Sequence, residues 1–137
     1  MKRVYNADEC RQITDKYPDY FTFDADKWFS VDANYAIKEG ENIGFAEYKS
    51  PGTYWVHFCF HTARGREAID LTKKMVANLY NDCPIKTAIG LITKNNRKAR
   101  WLIRQVGFKS LGFVETKIGL CEMFYYTKDE QYEFFFS

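Results

Sequence analysis

Residues 54–108 limit the possible folds more than any other stretch of this chain. They read as strand, basic glycine turn, helix, strand, helix. The segment YWVHFCFH (54–61) is β-rich, and alternation puts His57, Cys59 and His61 on one face and Val56, Phe58 and Phe60 on the other. Arg64-Gly65-Arg66 then breaks the strand. Over 66–80, Ala68, Leu71, Met75 and Leu79 recur at helical spacing, flanked by Ile69, Thr72 and Val76. Asp82-Cys83-Pro84 stops that helix. Residues 85–92 are nearly uncharged and suit a central strand covered on both faces. A second helix over 96–106 turns Ala99, Leu102, Ile103 and Val106 inward, and Gly107 marks its end.

The flanks extend this pattern. A short strand is expected over 2–5 and a helix over 7–17, stopped by Pro18. Residues 19–30 are aromatic and acidic without a clear period, with room for a short helix around 25–29. Residues 34–38 and 43–48 form a hairpin about Glu39-Gly40-Glu41-Asn42, and the strand from Tyr54 completes a meander. A closing hairpin is expected over 113–116 and 120–126 around Gly119. Strands mixed with helices in this order pack as an α/β domain: a mixed, mostly antiparallel sheet flanked by helices on both faces.

Length and composition narrow the classes. A chain of 137 residues fits one domain spanning 1–137. A hydrophobic share of 46% with 18% aromatics supplies a packed core and argues against disorder. The net charge of +2 is too small to imply nucleic-acid binding by itself. No run approaches the ~18 apolar residues of a membrane span, and the start MKRVYNADEC is polar, unlike a signal peptide. Cys10, Cys59, Cys83 and Cys121 form no CxxC pair and read as reduced thiols of a cytoplasmic-type protein.

The turn at 64–66 carries the first functional signal. A strand that enters a glycine turn and then a helix presents unpaired N–H groups at the helix start, and these bind anions. Arg64 and Arg66 add charge-assisted donors. The bland reading is a plain helix N-terminus that Glu67 suits electrostatically. The second signal is the register Asn96, Ala99, Gly107, Phe108. Together, the Arg64–Ile69 turn and this helix resemble the central half of the GNAT (N-acetyltransferase) superfamily. The resemblance covers residues 54–108 well and the flanks loosely.

That resemblance implies acetyl-coenzyme A as cofactor and an amine, on a small molecule or a protein, as acceptor. The family turn follows Q/R-x-x-G-x-G/A and cradles the pyrophosphate. Arg64 matches its first position, while Glu67 and Ile69 stand where small residues are usual. Implied cofactor contacts are Cys59, Phe60, His61, Arg64, Gly65, Arg66, Glu67, Ala68, Asn96 and Ala99. The strand holding Cys59 and His61 is the one whose backbone pairs with pantetheine. The family's tyrosine general acid has Ile103 in its place.

His57 is the candidate general base, with Glu47 on the preceding strand as the alternative. Competing readings of the 57/59/61 set are a satisfied buried histidine or a metal site. Alternate strand residues stand ~6.5 Å apart, too far to converge easily on a metal. Lys94, Arg97, Lys98, Arg100 and Arg104 make the second helix basic. They suit a coenzyme phosphate, a nucleic-acid backbone, or simply water. The tail over 127–137 ends in Phe134-Phe135-Phe136, which suits docking on this domain, on a second copy or in an assembly, or an added edge strand. The compact motifs also resemble short GNAT-like proteins of tailed phages, some of them virion components. That likeness leaves open a non-catalytic assembly role, with the host cytoplasm or the virion as location.

Overall fold

A computed structural model describes residues 1–17 and 24–127. The expected docking tail lies, from residue 128 onward, outside the described residues. The order is β1 (Lys2–Val4), α1 (Ala7–Thr14), α2 (Ala25–Phe29), β2 (Tyr35–Glu39), β3 (Asn42–Ser50), β4 (Thr53–Cys59), α3 (Gly65–Asp82), β5 (Thr87–Thr93), α4 (Arg97–Val106), β6 (Lys109–Thr116) and β7 (Gly119–Thr127).

One seven-stranded sheet runs β1-β2-β3-β4-β5-β7-β6. Neighbours pair antiparallel except β4 and β5, which are parallel. A parallel pair needs a crossover, and α3 provides it. Two clusters fill the two sides. On one, α3 and α4 cover Ile37, Ala46, Tyr54, Val56, Ala88 and Phe124. On the other, Cys10 and Ile13 of α1 pack on Val4, Ala36, Ile43 and Phe45, with Trp28 and Phe29 of α2 beside them.

The local signals explain the elements, with several revisions. Asn6 caps α1 by accepting from the Glu9 N–H. That helix ends at Thr14, short of the expected 17, and Lys16 and Tyr17 continue as tight turns bonded to the Ile13 and Thr14 carbonyls. β4 ends at Cys59 instead of His61, because the His61 N–H goes to the Asn42 side chain. Burial in β5 alternates, with Ala88 and Gly90 fully buried and Ile89 and Leu91 only partly so. The strand is therefore tightly covered on one face only. α4 ends with the Phe108 N–H on the Ile103 carbonyl and the Gly107 N–H on Arg104, the double bond of a Schellman stop. β6 starts at Lys109, four residues earlier than expected. Among the described residues, no helix is long and apolar enough to cross a membrane.

α4 is fastened to the sheet through one carboxylate. Glu122 of β7 is 2% exposed. It accepts from Arg100 Nε at 2.7 Å, Arg104 at 2.5 Å and Ser110 Oγ at 2.6 Å. Two cations of the expected basic face thus pair with this carboxylate, Arg100 mostly covered and Arg104 still reached by water. Burial pushes the Glu122 pKa up, but the Ser110 hydroxyl and the two guanidiniums outweigh it and hold the group below the ordinary 4.5.

Replacing Glu122 with Gln should cost about 3 kcal/mol in urea unfolding, the low end for a broken buried pair because Arg104 keeps access to water. A depressed folded pKa stabilises above the unfolded value. The wild-type advantage over Glu122→Gln should thus be full above pH 4.5 and shrink as pH falls through the folded pKa. A cost independent of pH would show that the carboxylate charge does not hold α4.

Candidate active site

β4 and β5 form the centre of the site by failing to stay paired. Their parallel register covers Thr53–Thr87, Tyr54–Ala88 and Trp55–Ile89 and goes no further. Among the described residues, β4 beyond Trp55 has no ladder partner on its β5 side. A cavity of about 280 Å³ fills the opening. Val56, Phe58, Gly90 and Ile92 line it on the helix-covered side with Ala99 and Ile103, whereas His57 and Leu91 belong to the opposite face of the sheet. The cavity therefore sits at the gap between the two strands, bordered by residues of both faces.

A second cavity, of about 630 Å³, lies between the start of α3 and one side of α4. Its walls include Phe60, Ala63, Arg64, Gly65, Ala68, Asn96 and Ala99. Asn96, Ala99 and Leu102 border both cavities, so the two lie side by side along α4 and are taken together as the groove. Asn96 caps α4 by accepting from the Ala99 N–H at 3.2 Å, which sets that shared corner.

The start of α3 is built to face an anion. Arg64 at its N-cap gives no side-chain cap bond, and the first bond into the helix runs from the Ala68 N–H to the Arg64 carbonyl. The donors of the first turn thus have no side-chain cap from Arg64, and Gly65 of that turn borders the cavity. Gly65 takes φ +55°, a conformation that a side chain would strain. No described atom lies within 4 Å of where its Cβ would stand, so backbone geometry, not crowding, calls for glycine there.

The loop leading into this turn hangs on Asn42, read from sequence only as a turn residue. Its Oδ1 accepts from the N–H groups of His61, Thr62 and Ala63 at 2.9, 3.1 and 3.3 Å. Its Nδ2 donates to Thr62 Oγ1 at 2.9 Å and to the Glu39 carbonyl. Arg64 braces the other side, its guanidinium donating to the carbonyls of Ala63 and His61. Those bonds hold the positive charge at the groove wall.

The sequence candidates fall into place unevenly. Phe60, Arg64, Gly65, Ala68, Asn96 and Ala99 line the groove. Arg66 and Glu67 are exposed and do not line either cavity, and Ile69 likewise stays outside both. The two departures from the family turn therefore leave the groove clear. Ile103 is buried and lines the opening, so that position supplies no acid. Cys59 sits 3.6 Å from His61 Nε2, away from both linings, and burial pushes its thiol up to about 11. Among the described residues, no group of three His, Cys, Asp or Glu is placed to hold a metal. Lys98, one of the basic residues of the second helix, borders the groove with Trp101, and Leu91 borders the opening; the sequence marks neither Trp101 nor Leu91 as a site residue, since exposure and strand alternation carry no chemical signal.

His57 is the one side chain able to titrate near neutrality in the lining of the opening. Its ring is accessible from the open side, yet the surrounding protein strips water from the rest. That desolvation holds its pKa below 6.5, and the Glu47 carboxylate offsets it in part. Glu47 pairs with Trp55, and Phe45 pairs with His57, so Glu47 and His57 share one face of the sheet.

Comparison with solved structures shows a fold. A spermidine N-acetyltransferase SpeG chimera from Vibrio cholerae and hSSAT matches with a TM-score of 0.73, 10% identity, 96% of this chain and 98% of the other. The aminoglycoside N-acetyltransferase AAC(6')-Ib11 matches at 0.68, 12% identity, 93% and 96%. AAC(6')-Ib in complex with paromomycin and acetyl-coenzyme A matches at 0.62, 14% identity, 76% and 70%. No family model and no curated protein matches the sequence. The chain has the GNAT fold.

Replacing Asn42 with Ala would leave the N–H groups of two buried residues and one at the surface without their acceptor. The expected loss is about 3 kcal/mol, read from the urea midpoint. A loss under about 1 kcal/mol would mean that water or a shifted carbonyl replaces the carboxamide.

Proposed function

We propose that this chain is an N-acetyltransferase that uses acetyl-coenzyme A and delivers the acetyl group to a small-molecule amine. The observation that carries the reading is the pair of adjoining cavities, one at the uncapped α3 N-terminus and one at the opening between β4 and β5, that meet at Asn96, Ala99 and Leu102. Structural neighbours that act on spermidine and aminoglycosides support the amine class, and one was solved with acetyl-coenzyme A.

The residues present fit such a cofactor. The first-turn N–H groups of α3, with the helix dipole and Arg64, would hold the diphosphate. The free edge of β4 beyond Trp55 would give backbone hydrogen bonds to the pantetheine amides. Asn96 and Ala99 would border the arm where it bends into the opening. When bound, acetyl-coenzyme A supplies an acetyl group activated as a thioester.

His57 faces the opening from the side of the sheet opposite α3 and α4. An amine entering from that side meets the imidazole there. A lowered pKa keeps His57 neutral at pH 7, so its ring nitrogen can take the proton the amine must lose. Glu47, on the same face, would steady the imidazolium that results. Ile103 offers no proton to the departing thiolate, which leaves that step to solvent. The apolar lining from Val56, Phe58, Ile92 and Ile103 limits water around the thioester.

Titration calorimetry with acetyl-coenzyme A is the direct test, and no binding at millimolar ligand would sink the proposal. With an amine panel in hand, His57→Gln should lower kcat by about 10²–10⁴ while KM for acetyl-coenzyme A stays near wild type. The wild-type kcat/KM for the amine should rise with pH through a step below 6.5, because only neutral His57 accepts a proton. A profile in which His57→Gln keeps that step would assign it to another group.

A further inference from the structure

We infer that Tyr17 is a positioning residue for the donor loop: its ring, anchored by Glu41 and stacked on His61, holds residues 61–64 so that the α3 N-terminus faces a diphosphate. This rests on the acetyl-coenzyme A reading above.

Tyr17 comes from the N-terminal part of the chain, after α1, and meets the loop beside the β2–β3 turn. Its hydroxyl donates to the Glu41 carboxylate in the β2–β3 turn. Lys16 Nζ binds the same carboxylate at 2.8 Å. The phenol lies flat on the His61 imidazole, with ring centroids 3.7 Å apart and planes 2° from parallel. Two rings free to choose prefer an offset or edge-on arrangement. A face-to-face stack is therefore imposed from outside, by Glu41 and Lys16 on one side and by the loop backbone on the other.

His61 is the residue through which that clamp would act. It is 8% exposed. Its backbone N–H goes to Asn42, and its carbonyl accepts from the Arg64 guanidinium. The ring stack resists displacement of His61 as a whole, and a shift of its backbone would carry both bonds with it, and with them the wall of the groove at Ala63, Arg64 and Gly65. Tyr17 lines neither cavity, so its effect on a cofactor held there would run through His61.

The probes that separate this role from plain stability are coenzyme A and pantetheine, which lacks the diphosphate. Both are titrated into wild type, Tyr17→Ala and Tyr17→Phe, followed by NMR amide shifts. Tyr17→Ala should weaken coenzyme A about tenfold and change pantetheine by less than about twofold. Tyr17→Phe keeps the ring but loses the Glu41 anchor, and its coenzyme A affinity should fall between wild type and Tyr17→Ala. Equal weakening of both probes by Tyr17→Ala, or unchanged coenzyme A affinity, overturns the inference. Amide hydrogen exchange at 61–63, measured without ligand, gives an independent answer. Faster exchange in Tyr17→Ala supports the clamp, and unchanged exchange overturns it. Wild-type protein that binds neither probe would overturn the acetyltransferase reading, and exchange at 61–63 would then decide the clamp alone.

Discussion

Everything near the groove depends on one pairing: three parallel rungs between β4 and β5 in a sheet otherwise antiparallel. Parallel strands cannot be joined by a tight turn, so the chain must cross the sheet, and α3 is that crossing. The crossing places the start of α3 next to the end of β4. Because the rungs stop at Trp55 and Ile89, the same two strands also leave an opening beside that helix start. An anion-facing helix end and a slot between two strands thus share a single cause. Full pairing would close the slot and leave only an ordinary helix N-terminus.

Such a helix end is useful only if the loop before it keeps its shape. That loop gives up ladder bonds when β4 ends at Cys59, and its backbone donors must find partners elsewhere. Asn42 supplies one acceptor for three of them, while Arg64 satisfies two of the loop's carbonyls. The loop is therefore held by side chains from outside the β4–α3 unit and from its own last residue. Its rigidity comes from tertiary contacts, which is why the local sequence there carries little strand or helix signal.

The opposite wall has a comparable arrangement with charge in place of amide. The α4 helix carries a basic face that in isolation reads as solvated or phosphate-seeking. Glu122 takes Arg100 and Arg104 and leaves Lys98 beside the groove. A single carboxylate in the apolar run LCEMFYY, opposite an arginine pair at i, i+4, was the available clue. It needed knowledge of which strand lies under α4, and β7 reaches that place only by inserting between β5 and β6.

By itself, the sequence determined the periodic elements: the 66–80 stripe, the 96–106 helix with its Gly107 stop, the meander and even the short helix at Ala25–Phe29. These are set by neighbours a few residues away, through spacing and capping. The anion-turn argument also marked Arg64 and Gly65, and the family resemblance Asn96 and Ala99, and all four line the groove. Tertiary structure alone decided where strands stop, which donors stay open and which charges are spent. Asn42 acts on residues 19 to 21 positions away, Glu122 on Arg100 and Arg104 at 22 and 18, and Tyr17 on His61 across 44. Such contacts exist only once the sheet has brought distant segments together, and no local pattern of residue types encodes them.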